Sequence, residues 1–123
     1  ELGVGIGAYR EEFEALQPGE RTPRGKIVEE GVRALQKLFT DDRATFNGEF
    51  FRYKDVELFP KPLQERIPIY FGGNNVNQLY RTATLGDGWL PAGLPLDRIT
   101  ADIVHLRQRF MVMKHQLGQR KAV

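Results

Sequence analysis

The stretch Ile69-Tyr70-Phe71-Gly72-Gly73-Asn74-Asn75 decides how this sequence folds. Three apolar residues run into a double glycine and two asparagines, and helical spacing follows from about Val76 to Leu85. The pattern predicts a short buried strand that delivers a bare backbone turn to a helix N-terminus. First-turn N–H groups lack intrahelical partners and sit at the positive end of the helix dipole, which makes such a turn an anion site. Gly72 and Gly73 carry no Cβ and let a ligand approach the main chain, while Asn74 or Asn75 caps the helix. An ordinary strand-to-helix turn has the same look, so this stretch alone leaves both readings open.

Working outward, Leu2-Gly3-Val4-Gly5-Ile6-Gly7 alternates with period two, so on a strand the glycines share one face and the apolar residues the other. The bare face suits a flat ligand or a close-packed neighbour. Tyr9 to Leu16 reads as a short helix with Tyr9, Phe13 and Leu16 on one face, ended by Gln17-Pro18-Gly19. Thr22 as cap and Pro23 as first residue open a longer helix, with Val28, Val32, Leu35 and Phe39 as its core stripe. Asn47-Gly48, between Ala44-Thr45-Phe46 and Glu49 to Tyr53, predicts a two-residue type I′ hairpin. Val56 to Phe59 suggests a further extended piece before the Pro60-Lys61-Pro62 connector.

Beyond the central turn, Gly86 at C′ ends the helix, and Asp87 to Pro91 reads as the next strand. Asp97 caps a last helix on which Ile99, Ile103, Leu106, Phe110, Met113 and Leu117 recur, with Gly118 as its end. Strands alternating with helices predict an α/β fold with parallel strands. Three visible core strands leave two edges open, so more chain or another copy is expected to complete the sheet.

The 123 residues fall within the single-domain range, and a hydrophobic share of 41% with 28% charged residues is ordinary for a globular protein. Lys and Arg are scattered and the net charge is only +2, so no nucleic-acid footprint is expected. The absence of cysteine excludes disulfides, thiolate metal sites and cysteine nucleophiles. No apolar run approaches the ~20 residues of a membrane span, and no signal-peptide pattern opens the chain. The default expectation is a cytoplasmic protein with no membrane partner. The chain opens at Glu1 and enters a strand at once, which suggests a fragment.

An ordered set of pieces resembles the luciferase-like monooxygenase family, whose members use flavin or deazaflavin in a TIM-type barrel. The set runs from Leu2 to Gly7 and Tyr9-Arg10-Glu11-Glu12-Phe13, through Ala34-Leu35, Leu38-Phe39-Thr40 and Phe46-Asn47-Gly48. It continues with Leu58-Phe59-Pro60-Lys61-Pro62-Leu63-Gln64, Ile67 to Asn74, and Leu85-Gly86-Asp87-Gly88-Trp89-Leu90-Pro91. The resemblance implies one incomplete segment of a (β/α) barrel over residues 1–123, with about three parallel strands, covering helices and a hairpin and connector inserted at 44–62. A whole barrel takes ~250 residues, so about half is expected to lie elsewhere. By the same resemblance Gly72, Gly73 and Asn74 hold the flavin phosphate, and Gly5 and Gly7 line the cofactor region. The cofactor implied is FMN, with the deazaflavin coenzyme F-420 as the alternative. The family's catalytic side chains come from strands outside this sequence, so no catalytic residue is assigned here.

Other candidates read more simply. His105 and His115 stand ten residues apart on the last helix with no ligand partner, so they are taken as surface histidines and no metal site is expected. Tyr9, Arg10 and Glu12 sit where a barrel active site forms, but packing by Tyr9 and solvated charges explain them as well. Trp89 reads as core, and Asp87 as an acceptor for loop N–H groups. The hairpin aromatics Phe46, Phe50, Phe51 and Tyr53 suit a lid, an oligomer contact or a small core of their own. Gly3 to Ala8 also fits a dinucleotide fingerprint, but the acidic residue and second strand expected ~20 positions on are replaced by a helix around Arg24 to Glu29.

The function expected is therefore a segment of a flavin-dependent oxidoreductase, binding a flavin and, if completed, a small-molecule substrate. By resemblance the parent reaction is oxygenation by a reduced flavin or hydride transfer with a deazaflavin. The alternative is a non-catalytic truncated barrel stabilised as a homo-oligomer, and a third is a small phosphate-ligand module using only the Gly72-Gly73 turn.

Overall fold

The computed structural model describes residues 1–16 and 23–120, with the backbone alone over 113–120. In chain order the elements are β1 (Leu2–Val4), α1 (Arg10–Leu16), α2 (Arg24–Thr40), β2 (Ala44–Asn47), β3 (Arg52–Val56), β4 (Ile69–Gly72), α3 (Val76–Leu85), β5 (Gly88–Leu90) and α4 (Leu96–Arg120). They fall into two compact units: residues 1–4 with 68–123, and Gly5–Ile67.

The first unit is α/β, with a parallel sheet ordered β1-β4-β5. Leu2, Gly3 and Val4 lie opposite Ile69, Tyr70 and Phe71, while Tyr70, Phe71 and Gly72 lie opposite Gly88, Trp89 and Leu90. As the middle strand, β4 has no free edge, and Ile69 and Phe71 are fully buried. Leu79 and Ala83 of α3 form a cluster with Leu106 of α4, and Trp89 packs against it. Helix α3 spans the predicted residues and places Gln78, Leu79, Thr82 and Ala83 inside.

Several expectations for this unit are corrected. The β1 ladder stops at Val4, so Gly5 to Gly7 lie outside it. Gly86 ends α3 in an extended conformation (φ −99°, ψ 169°) and not as a left-handed C′ residue. Space explains this glycine, because a Cβ there would stand 2.8 Å from the Phe71 ring. Asp97 lies inside the first turn of α4 and does not cap it, since the helix begins at Leu96. The backbone of α4 also continues past Gly118 to Arg120. Its covered side carries Asp102 and Leu106, while Ile103 and Phe110 are exposed, so the expected stripe is rotated. Arg98 pairs with Asp102 from the next turn at 3.2 Å. The side chains of Met113, His115 and Leu117 lie outside the described residues. Among the described residues no helix is long and apolar enough to cross a membrane.

In the second unit the hairpin β2–β3 forms a two-stranded antiparallel sheet of its own. Its turn is not the two-residue type predicted. Asn47 lies opposite Arg52, which leaves residues 48–51 as the loop, and Gly48 N–H closes it on Phe51 O at 2.9 Å. A type I′ turn needs positive φ at both central residues, and neither Asn47 nor Gly48 has it. The reason is Glu30 on α2. Its carboxylate accepts the backbone N–H groups of Glu49 (3.0 Å), Phe50 (2.7 Å) and Phe51 (2.7 Å). Three N–H groups curled round one carboxylate form an anion nest, and that geometry opens the loop.

The same helix face receives the rest of the hairpin. Tyr53 donates its hydroxyl to Ala34 O at 2.6 Å, Phe51 rests against Gly31, and Phe46 stacks on Tyr53 with ring centroids 5.8 Å apart. Phe46, Phe51 and Tyr53 thus lie along the hairpin and α2 without being fully buried. Val32 is buried as expected, but Leu35 is exposed and Ala34 takes its place inside, because α2 has this second covered face. Lys61, between its two prolines, donates to Leu38 O (2.8 Å) and to Asp41 O, holding carbonyls at the negative end of α2. Residues 57–59 form no further strand.

Helix α1 is seven residues long. Tyr9 and Leu16 are exposed, so of the predicted face only Phe13 is covered, with the Arg24 guanidinium 4.9 Å from its ring centre. Arg10 pairs with Glu14, which accounts for its charge on an exposed turn. Thr22 and the Gln17-Pro18-Gly19 terminator lie outside the described residues; α2 itself begins one residue later than expected, with Pro23 at the N-cap.

Burial pushes the Glu30 carboxyl up, but the N–H groups of Phe51, Phe50 and Glu49, and the charge of Arg52, together hold it below the usual carboxylate range. A depressed folded value means that the clasp contributes stability above the pKa of an unfolded glutamate. That contribution is lost as pH falls through the lowered value. Glu30→Gln should therefore speed amide exchange at Glu49, Phe50 and Phe51 at neutral pH and remove the acid-dependent part of that exchange. Phe71→Ala should cost about 3–5 kcal/mol in chemical denaturation, since the ring is fully buried.

Candidate functional site

The turn from β4 to α3 is built by hydrogen bonds that use nearly every polar atom it presents inward. Gly73 has φ +117°, a region that side chains other than glycine rarely enter, and a Cβ there would stand 3.1 Å from Gln78 Cγ. Its N–H donates to Leu90 O at 3.3 Å, and its carbonyl accepts the Trp89 indole N–H at 2.7 Å. The Asn74 amide pairs with the backbone of Ala92 in both directions, donating to Ala92 O at 2.6 Å and accepting from Ala92 N at 3.0 Å. The turns that follow β4 and β5 are thereby tied into one corner. Asn75, not Asn74, caps α3, its side chain accepting from Gln78 N at 3.0 Å.

Under the turn lies Gln78, 1% exposed. Its amide donates to Gly72 O and accepts from Arg81 Nη1 at 2.8 Å. Outward, Asn75, Val76 and Asn77 at the cap and in the first turn of α3 are exposed. Main-chain donors at the positive end of a ten-residue helix suit an anionic oxygen.

Of the residues expected at the site, Gly72, Gly73 and Asn74 come together here. Gly5 and Gly7 belong to the other compact unit. A Cβ at Gly5 would meet nothing within 4 Å, whereas Gly7 has φ +77° and a Cβ there would stand 2.5 Å from the Phe13 ring. Its carbonyl accepts from Arg24 at 3.2 Å. Asp87 accepts the Ile69 N–H at 2.9 Å, as expected of it. His105 is half-buried on α4, and its Nε2 accepts from Arg109 Nε at 3.0 Å. Gln78 and Ala92 escaped the sequence reading. Asn75-x-x-Gln78 has the spacing of a capping box, which was the available signal for Gln78. Nothing in the sequence marks Ala92, whose contribution is entirely main chain.

Comparison with known proteins places the chain in a family. A model of luciferase-like monooxygenases matches residues 1–121. The chain belongs to the luciferase-like monooxygenase family. Among curated members, an FMNH(2)-dependent dimethylsulfone monooxygenase from Pseudomonas putida is 31% identical over 117 residues, covering 93% of this chain and 32% of that protein. An F420-dependent glucose-6-phosphate dehydrogenase from Segniliparus rotundus is 32% identical over 91 residues, covering 72% of this chain and 27% of its own. Among solved structures, an F420-dependent secondary alcohol dehydrogenase in complex with an F420-acetone adduct aligns with TM-score 0.61 at 22% identity. That alignment covers 85% of this chain and 34% of the other. The chain thus spans about a third of the length of the family members it matches, less than the half expected. The fold is that of a partial TIM-type (β/α) barrel.

Gly73→Val should cost roughly 1–3 kcal/mol from backbone strain alone. Gln78→Leu should cost a similar ~1–3 kcal/mol, because Gly72 O and Arg81 would lose their buried partner. Urea denaturation of each variant checks both, and an unchanged midpoint would refute the corner's role in stability.

Proposed function

We propose that this chain supplies the phosphate-holding corner of a flavin- or deazaflavin-dependent oxidoreductase. The observation that carries the proposal is the glycine turn at the N-terminus of α3, whose inward atoms are consumed by Leu90, Trp89, Gln78 and Ala92 while its outward face is main chain. Gly73 N–H is engaged with Leu90, so the donors proposed for a phosphate are the N–H groups of Asn74, Val76 and Asn77. Gly72 and Gly73 serve by conformation and by leaving the approach open. A set of backbone N–H groups at a helix N-terminus fits the phosphate of FMN, or that of coenzyme F-420 as the alternative. When bound, the cofactor supplies the redox chemistry, and this chain's residues hold and orient it. The two relatives described above, one FMNH(2)-dependent and one F420-dependent, support this choice of cofactors. The small-molecule substrate is left to the particular enzyme. The segment 44–62 is proposed as an insertion carried by the barrel segment.

A second reading is a non-catalytic truncated barrel held together by self-association. The exposed apolar residues Ile103, Val104, Phe110, Met111 and Val112 along α4 favour it.

Size exclusion with light scattering, read with the absorbance of added FMN across the same peak, separates the two. FMN should co-elute with the chain, and Gly73→Val should abolish co-elution. An oligomer that excludes both FMN and coenzyme F-420 would refute the proposal and leave the self-associating barrel.

A further inference from the structure

We propose that Trp89 is a positioning residue for the phosphate corner: its indole N–H, by holding Gly73 O, aims the Asn74 N–H at the ligand. This rests on the phosphate reading of the turn given above. Among the described residues every peptide is trans except Phe59–Pro60, and in a trans peptide the C=O and N–H point in opposite directions. The carbonyl of the Gly73–Asn74 peptide is fixed on Trp89 Nε1 at 2.7 Å. Its N–H is therefore directed away from the indole.

The preceding peptide is fixed in the same manner, with Gly72 O on Gln78 and Gly73 N–H on Leu90 O. The Asn74 side chain is fixed on Ala92. One orientation is left for the Asn74 N–H, and the indole sets it. The indole cannot drift, because Trp89 packs on the Leu79, Ala83 and Leu106 cluster and stands opposite Phe71 in the sheet. A phenyl ring would fill much of the same space without donating a hydrogen bond. Gly73 is the residue that makes the arrangement possible, since its positive φ brings the carbonyl round to the ring.

Trp89 is the chain's single tryptophan, so one indole N–H signal reports on this bond. The test is a titration of the ¹⁵N-labelled full chain with FMN, with riboflavin, which lacks the phosphate, and with inorganic phosphate. In the wild type, FMN and phosphate should shift the Asn74 amide and the indole N–H and slow exchange of the latter, while riboflavin leaves both in place. Trp89→Phe should keep the β4–β5 amides protected and weaken FMN and phosphate roughly tenfold, the worth of one well-placed hydrogen bond. A purely structural tryptophan would lower the melting temperature and leave phosphate affinity in the folded chain unchanged.

Equal affinity of Trp89→Phe and wild type for FMN overturns the proposal and leaves the phosphate reading standing. A wild type that binds neither FMN nor phosphate overturns both. Should Trp89→Phe fail to fold, the wild-type indole decides. A resonance that FMN moves and riboflavin does not supports the proposal, and one that neither moves refutes it.

Discussion

Phe71 has no solvent exposure, and the geometry of the first unit is arranged about that ring. It sits in the middle strand, opposite Val4 on one side and Trp89 on the other. Its neighbour Gly86 has room for no side chain, so α3 must end where the ring begins. Burying a side chain of this size contributes on the order of 1.5–3 kcal/mol, a large share of a small unit's stability. The glycine turn follows immediately after. Its position is thus set by packing, and its orientation by hydrogen bonds.

The two units treat curled backbone N–H groups in opposite ways. In the hairpin loop the N–H groups of Glu49, Phe50 and Phe51 close on the carboxylate of Glu30, an anion from the same chain. At the start of α3 the Gln78 N–H is held by the Asn75 side chain and the Leu79 N–H by Asn75 O, while the Gly73 carbonyl and the Asn74 side chain are spent on Trp89 and Ala92. The same backbone chemistry serves cohesion in one place and underlies the phosphate reading proposed for the other.

Local sequence fixes an element where one residue type decides one outcome. The strand Ile69 to Gly72, the helix Val76 to Leu85 and a cap from the asparagine pair all follow from apolar runs and capping chemistry. Errors gathered where a distant partner intervenes. Asn47-Gly48 has the composition of a tight hairpin, but Glu30, seventeen residues earlier in sequence, reshapes the loop. Periodicity alone puts Ile103 on the covered side of α4, but packing against α3 turns Asp102 inward in its place. At the turn after β4, Gly72 and Gly73 stand out because the sequence displays where a side chain is missing. The contributions of Ala92 and Leu90 are main-chain atoms, which every residue possesses and no sequence can single out.

Lys61 gives the second unit a property of a different kind. Its ammonium group joins the carbonyls of Leu38 and Asp41 to the connector that follows the hairpin, and Glu30 joins the same helix to the hairpin's tip. The segment between them is thus fastened at both ends to one rigid rod. A hairpin free at its tip frays progressively; one fastened in this manner opens only when both fastenings release. The C-terminal half of α2, the hairpin and the connector are then expected to open as one foldon, whose interior amides share a single opening free energy.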